Sequence, residues 1–272
     1  MIEKNILRKS FFAGLVFLLS GLQGFSQVGG ISGSKLAAVC VDVVDHKKIE
    51  FEPAFYHARA KRYWDKDGSL QNLYSTSDSV RAVTGMNFRF TFGLWDRLEI
   101  GTTISTDLAV SSWGARFVIF DNEKIGVAAI AGANIPFGNG NIETKTRFSE
   151  LMTSVGGGGV FSAYFTENFS LDFNAQYMFF LKETHDHSRG TWFLNADLGY
   201  YLFKHQLQLI TGLGYQDAVF EDFTSQILTV YPGVTIETGK NYIIVMSVPF
   251  DVYGMSTLKN VGFNFALTLT FN

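Results

Sequence analysis

Val261-Gly262-Phe263-Asn264-Phe265-Ala266-Leu267-Thr268-Leu269-Thr270-Phe271-Asn272 alternates without a break between an apolar residue and a small or polar one. A period of 2 over a dozen residues puts the two sets on opposite faces of one extended strand; on a helix the same apolar residues would spread around the axis. Strands of soluble sandwiches run about 5–6 residues, so a strand twice as long needs another explanation.

Upstream, the pattern recurs. Met86, Phe88, Phe90 and Phe92 alternate with Asn87, Arg89, Thr91 and Gly93. Phe169, Leu171, Phe173, Ala175 and Tyr177 oppose Ser170, Asp172, Asn174, Gln176 and Met178, and Trp192, Leu194, Ala196 and Leu198 oppose Phe193, Asn195, Asp197 and Gly199. Ile244, Met246, Val248, Phe250 and Val252 oppose Val245, Ser247, Pro249 and Asp251. An Arg facing lipid near the bilayer midplane costs about 2–4 kcal/mol, so the polar parity belongs inside and the apolar parity outside.

Strands are expected near 48–64, 80–93, 98–107, 112–120, 125–137, 152–165, 169–180, 190–203, 206–216, 225–238, 242–254 and 260–272. Short turns (Trp95-Asp96-Arg97, Asp121–Lys124, Thr166-Glu167-Asn168, Lys204-His205, Gly239-Lys240-Asn241) alternate with longer breaks near 65–79, 138–150, 181–189 and 216–224. Short turns on the periplasmic side and long loops outside are the habit of outer-membrane barrels, and an even strand number returns both ends to the periplasm. Tyr63, Trp64, Trp95, Trp113, Tyr164, Trp192, Tyr200, Tyr201, Tyr242 and Tyr253 fall near strand ends, where interfacial rings are favoured. The fold expected is an all-β, closed, antiparallel up-and-down transmembrane β-barrel of about twelve strands, with every backbone polar group in the bilayer paired within the protein.

The start of the chain fits this destination. Met1–Lys9 carries the positive charge, Phe11–Leu19 is apolar but for Gly14, and Gly24-Phe25-Ser26 puts small residues before Gln27. Residues 1–26 therefore read as a secretory signal peptide, too short for a span of about 20 residues. Residues 27–47 read as a periplasmic lead-in that could instead enter the lumen, and 48–272 as the barrel. Charged residues make up 17% of the chain and mean hydropathy is +0.12, a middle value that a half-lipid, half-polar wall produces.

Function classes narrow accordingly. Beyond residue 26 the chain holds 19 basic and 24 acidic groups with no basic cluster, which excludes nucleic acid as a partner. The single cysteine, Cys40, excludes an internal disulfide framework. Leu36-Ala37-Ala38-Val39 before it lacks the apolar segment a lipid-acceptor site needs, so Cys40 reads as an unpaired thiol. Gly156–Gly159 and Gly29-Gly30-Ile31-Ser32-Gly33 are not followed by helices and so are not phosphate cradles. His185-Asp186-His187 beside Glu183 has metal-ligand residue types, but a loop fixes neither ring, and a solvated loop is preferred; no metal or other cofactor is expected. No Gly-x-Ser-x-Gly or His-Glu-x-x-His motif marks an enzyme.

The candidate site is the inward polar set: Glu50, Glu52, Arg89, Glu99, Arg116, Asp172, Asp197 and Asp251. These charges can line a water-filled path that prefers cations, or pair across the lumen and close it. Twelve strands lie between the side-chain-filled eight and the open sixteen, so strand number leaves both open.

Phe88-Arg89-Phe90-Thr91-Phe92-Gly93-Leu94-Trp95-Asp96-Arg97-Leu98-Glu99-Ile100-Gly101 resembles the Gly-Leu-x-Asp-Arg-Leu-Glu-hydrophobic-Gly hairpin of the meta-pathway phenol-degradation outer-membrane proteins. Tyr164–Asp172 is similar to a later hairpin of that family. The terminal strand looks like a barrel-assembly signal, though it ends one residue past its aromatic, Phe271. The resemblance implies a small barrel that moves hydrophobic or aromatic compounds. A channel or transporter for small molecules is therefore the leading expectation, a structural or surface-interaction barrel with a closed lumen the second, and an outer-membrane enzyme the third. The partners expected are outer-membrane lipid, the barrel-assembly machinery and a small solute.

Overall fold

Alternation along each strand becomes, in the computed structural model, a single closed sheet. The structure describes residues 27–33, 35–75, 79–106, 110–136, 153–181, 190–203, 206–219, 224–237 and 241–271; residues 1–26, expected to be a signal peptide, and the His185/His187 loop lie outside them. Among the described residues there is no helix. The strands are β1 (Ile49–Trp64), β2 (Leu70–Asn72), β3 (Arg81–Trp95), β4 (Leu98–Ser105), β5 (Val110–Asp121), β6 (Ile125–Pro136) and β7 (Ser154–Thr166). They continue as β8 (Phe169–Phe180), β9 (Gly190–Leu202), β10 (Leu207–Val219), β11 (Thr224–Glu237), β12 (Tyr242–Ser247), β13 (Phe250–Met255) and β14 (Thr257–Phe271). Neighbouring staves pair antiparallel, β3 with β1 and both β12 and β13 between β11 and β14, and β14 closes onto β1 from Ile49↔Phe271 to Trp64↔Thr257.

The wall has the twelve staves expected, with two differences. One stave is split: β12 and β13 are its halves, interrupted at Val248-Pro249. Pro249 cannot donate to the ladder, and Pro232 faces the break from β11. The carbonyls there still work, since Val248 N–H donates to Pro232 O at 3.0 Å and Gly262 N–H to Pro249 O at 2.8 Å. The other difference is β2, a three-residue strand that folds back on β1 in the first long connection. The turn before it is built on Asp65, whose carboxylate accepts the N–H groups of Ser69 at 2.9 Å and Asp67 at 3.0 Å. Those bonds, chiefly that from Ser69, hold the carboxyl below the usual carboxylate range.

The short turns gather at the end where β1 begins and β14 finishes, and the long connections at the other. The burial pattern is that of a soluble protein turned inside out. Phe90, Ile100, Phe117, Leu198, Leu213 and Phe263 are exposed on the outside, whereas Glu99, Arg116, Asn174, Gln176 and Asp172 are buried inside. Only lipid makes that arrangement favourable, since apolar area exposed to water costs about 25 cal/mol per Å². Exposed rings form two belts: Trp95, Tyr200, Tyr242 and Phe271 at the short-turn end, Trp113, Phe179, Trp192 and Tyr253 at the other. Trp64 does not join them; it is buried at 5% exposure, with Lys259 Nζ 5.5 Å from its ring centre.

Phe263 lies exposed on the lipid face at the middle of β14, between the belts. Phe263→Arg should therefore reduce folding stability by about 2–4 kcal/mol, measured as urea-dependent folding into bilayers, whereas Thr268→Ser on the inner face should leave it nearly unchanged. A Phe263→Arg barrel as stable as the parent would contradict the lipid-facing assignment.

Residues 27–47 do not hang below the barrel as a periplasmic segment. Residues 27–33 and 35–44 are folded into the lumen as a plug, which the chain leaves only to start β1. Their apolar side chains supply four of the ten buried residues of the main interior cluster: Val28, Ile31, Val39 and Val41 pack against Val118, Ala128, Ile130, Val160, Met178 and Phe193 of the wall. Leu36 and Ala37 pack against Ile210 and Tyr231.

Candidate functional site: the occupied lumen

The plug has almost no backbone ladder of its own, so its N–H and C=O groups need partners from the wall. They find them in the inward polar parity. Asp197 on β9 accepts from the N–H groups of three successive residues, Leu36, Ala37 and Ala38, at 2.9–3.1 Å. Asn174 Oδ1 and Gln176 Oε1 on β8 accept from Val39 N–H at 3.0 Å and Val28 N–H at 2.9 Å. Ser162 Oγ on β7 accepts from Val41 N–H at 3.0 Å and donates to Asp172 at 2.6 Å. On the opposite side, Thr103 Oγ1 accepts from Gly30 N–H at 3.0 Å and Thr91 Oγ1 donates to Gly30 O at 2.7 Å.

The strongest anchor is Glu99 on β4 with Arg116 on β5, both fully buried and 2.9 Å apart. Glu99 accepts from Ser32 N–H, Ser32 O–H and Val44 N–H at 2.6–2.9 Å, so one carboxylate ties together both ends of the plug's central turn. Arg116 sits inside that turn. It donates to the carbonyls of Cys40 at 2.6 Å and Ser32 at 3.2 Å, and to the Asp42 carbonyl.

A planar five-donor guanidinium suits such a ring of acceptors. Three further ion pairs follow: Lys35 of the plug with Asp172 at 2.7 Å, and Arg89 with Glu50 and with Glu52, the latter at 2.8 Å. Arg89 also donates to Ile31 O at 2.5 Å, and Glu52 accepts from Thr268 O–H.

Of the eight charges singled out in the sequence, five thus contact the plug directly: Arg89, Glu99, Arg116, Asp172 and Asp197. Glu50 and Glu52 reach it through Arg89. Asp251 does not take part; it bridges the wall, accepting from Thr229 O–H at 2.6 Å and from Asn260 N–H at 2.8 Å. The carboxylates are therefore neither spread along a water path nor paired across an empty one. They are complements to an inserted segment, a third arrangement that considering the wall alone leaves out.

Glycines missed in the sequence shape the seat. Gly101 on β4, Gly114 on β5 and Gly132 on β6 lie side by side in register and face inward. They form a trough without side chains, and the plug backbone lies in it. A Cβ at Gly101 would fall on the Gly30 carbonyl, and one at Gly114 on the Gly29 carbonyl. Gly30 itself turns with φ +79° against the Gly101 backbone, where any side chain would collide.

The plug leans mainly on β3–β9, with Leu36 and Ala37 reaching Ile210 of β10 and Tyr231 of β11. Against β10, β11, β12, β14 and β1 it leaves a cavity of about 200 Å³. Its lining mixes small and apolar residues, Ala54, Gly214, Ile227, Tyr231, Val245 and Ala266 among them, with the amides Asn87, Asn195, Gln216 and Asn264 and the charges Lys35, Glu52 and Arg89.

The family model described as "Putative MetA-pathway of phenol degradation" matches residues 84–267. The fold is similar to that of the COG4313 outer membrane channel from Pseudomonas putida F1, at 12% identity over 85% of this chain and 98% of that one, with a TM-score of 0.67. It is also similar to the NanC porin (9% identity, 80% and 98% covered, TM-score 0.51) and the KdgM porin (10%, 81% and 99%, 0.50). No curated protein sequence matches the chain.

Proposed function

This chain belongs to the MetA-pathway phenol-degradation family, and from that premise we propose that its outer-membrane barrel carries small, mainly apolar molecules along the side of the lumen that the plug leaves. One observation carries the reading: inside the barrel the eight candidate charges are held by the plug, by each other or by polar groups of the wall, and the remaining space is lined largely by uncharged residues, Ala54, Ile227, Tyr231, Val245 and Ala266 among them. A solute crossing there meets little field from the acids and loses little by shedding water from its apolar part. The two porins and the channel it resembles in fold are transport barrels by their names, which supports the same class. Insertion through the barrel-assembly machinery, with β14 as the recognised strand, belongs to the same proposal.

Purified barrel in liposomes should pass neutral aromatic solutes measurably faster than it passes sugars of equal mass, and should show low ion conductance in planar bilayers. The second reading, a closed barrel whose outer loops do the binding, is supported by the plug's occupation of the lumen. It predicts no solute flux from a barrel that is folded by heat-modifiable gel migration, and that result would displace the transport reading.

A further inference from the structure

Among the described residues, the basic side chains outside the lumen fall at the two ends of the barrel. Lys47, Lys48, Arg97 and Lys124 lie at the short-turn end. Those at the long-connection end, Arg59, Lys61, Arg62, Lys66, Arg81 and Lys259, all belong to one seam made by β14, β1, β3 and the turn before β2. In the chain they are broken up by Ala58, Ala60, Tyr63 and Trp64, and strand register brings them together. Arg62 pairs with Lys259, Arg59 with Val261 and Ala82, and Ala60 with Arg81, with a bulge between Ala60 and Arg62. Arg59, Lys61 and Arg62 are exposed, and Lys259 has the outward parity of Val261 and Phe263. Arg59 and Arg62 enter no ion pair among the described residues. The nearby Asp65 carboxylate is occupied by N–H groups of its own turn.

The height of this cluster follows from strand length. β1 begins at Ile49, opposite Phe271 of the short-turn belt, and a tilted strand crosses the hydrocarbon in about 9–11 residues. That length brings β1 to Arg59. On the other side of β14, Phe250 pairs with Val261, so Tyr253 of the outer belt lies level with Leu258 and Lys259. The cations thus stand on the outside of the wall where hydrocarbon gives way to headgroups. Below them Met86, Phe90 and Phe263 are exposed on the lipid face. Clustered Lys and Arg at that boundary attract anionic headgroups, and a guanidinium fork matches a phosphate with two hydrogen bonds. We propose that the β14–β1–β3 seam binds a phosphorylated lipid of the outer leaflet, its phosphate on Arg59, Arg62 and Lys259 and its acyl chains along the apolar strip beneath. The site faces the membrane and is independent of what crosses the lumen.

The full barrel, purified in a neutral detergent, is titrated with diphosphoryl lipid A, and bound lipid is counted by native mass spectrometry. A phosphate-free glycolipid, digalactosyldiacylglycerol, is the comparison. Lipid A should bind at least about tenfold more tightly than the galactolipid. The combined variant Arg59→Gln, Arg62→Gln, Lys259→Gln should lose about tenfold or more of that affinity while heat-modifiable migration stays unchanged. Arg97→Gln with Lys124→Gln, at the opposite end of the barrel, should bind lipid A as the parent does. Equal affinity for the two lipids overturns the proposal, as does a combined seam variant that keeps the parent's affinity. Inorganic pyrophosphate binding as tightly as lipid A would reveal an anion site with no lipid component, and would overturn it as well.

Discussion

Replacing Gly114 by valine will drive the N-terminal segment out of the lumen and turn a nearly closed barrel into a conducting one. The inner face of Gly114 is in contact with plug backbone, with the Gly29 carbonyl where a Cβ would sit and Val28 and Ile31 close beside it. Backbone on both sides leaves no flexible side chain to yield, so either the sheet bends or the plug lifts. The sheet is a closed ladder whose hydrogen bonds have no alternative partner in lipid, and the plug is the softer element. Once it lifts, Glu99, Asp172 and Asp197 face water and the lumen fills. Single-channel conductance should rise at least about threefold, as the open cross-section approaches that of an unplugged twelve-stranded barrel.

Cys40 gives an independent reading of the same event. It is 3% exposed and packed within the plug, so a bulky maleimide should label it slowly in the parent and readily in the variant. Gly159→Val is the control, since the added side chain there meets open space. A Gly114→Val barrel that folds, stays closed and keeps Cys40 protected would mean that the trough does not seat the plug.

How far the sequence goes is clear from which residues declare their environment locally. The twelve staves are legible because each side chain's face follows from parity, and lipid makes an error of parity expensive. Even the turn end is legible, since Trp95-Asp96-Arg97 and Thr166-Glu167-Asn168 are short for a geometric reason. The split at Val248-Pro249 carries a local sign, a proline in mid-strand, though alternation runs across it unbroken. The plug has no such local sign. Residues 27–44 lack the period of a strand because their partners are side chains of β3–β11, with hydrogen bonds that span as much as 168 positions, as between Gln27 and Asn195. What the sequence does contain is an excess: six acids and two arginines directed into one narrow lumen ask for more hydrogen-bond donors than the wall supplies. The Gly29-Gly30-Ile31-Ser32-Gly33 run shows a backbone free to turn, but not where it turns. Gly101, Gly114 and Gly132 look like ordinary strand glycines until register sets them side by side.

Because the same charges hold the plug and would otherwise line a pore, removing one should act on seating before it acts on ion selectivity. Arg116→Ala is the sharpest case. It takes away the cation 2.9 Å from Glu99 together with the donors to the Ser32, Cys40 and Asp42 carbonyls. Breaking a buried pair on one side costs about 3–5 kcal/mol, since the partner charge is left uncompensated. Here the loss has a ceiling: it cannot exceed the free energy of releasing the plug, because afterwards Glu99 is hydrated. The variant should therefore keep its barrel and its heat-modifiable migration while Cys40 labelling accelerates by about two to three orders of magnitude.

Arg116→Lys should rescue only part of this, as a single ammonium cannot serve three carbonyls and a carboxylate in their present places. Asp251→Asn makes the contrast, since Asp251 joins Thr229 to Asn260 within the wall and should leave Cys40 protected. Full rescue by lysine would show that charge alone seats the segment and that the ring of carbonyls around the guanidinium contributes nothing. Equal exposure of Cys40 in the Asp251 variant would show instead that the plug responds to any loss of charge in the barrel, and not to the contacts that reach it.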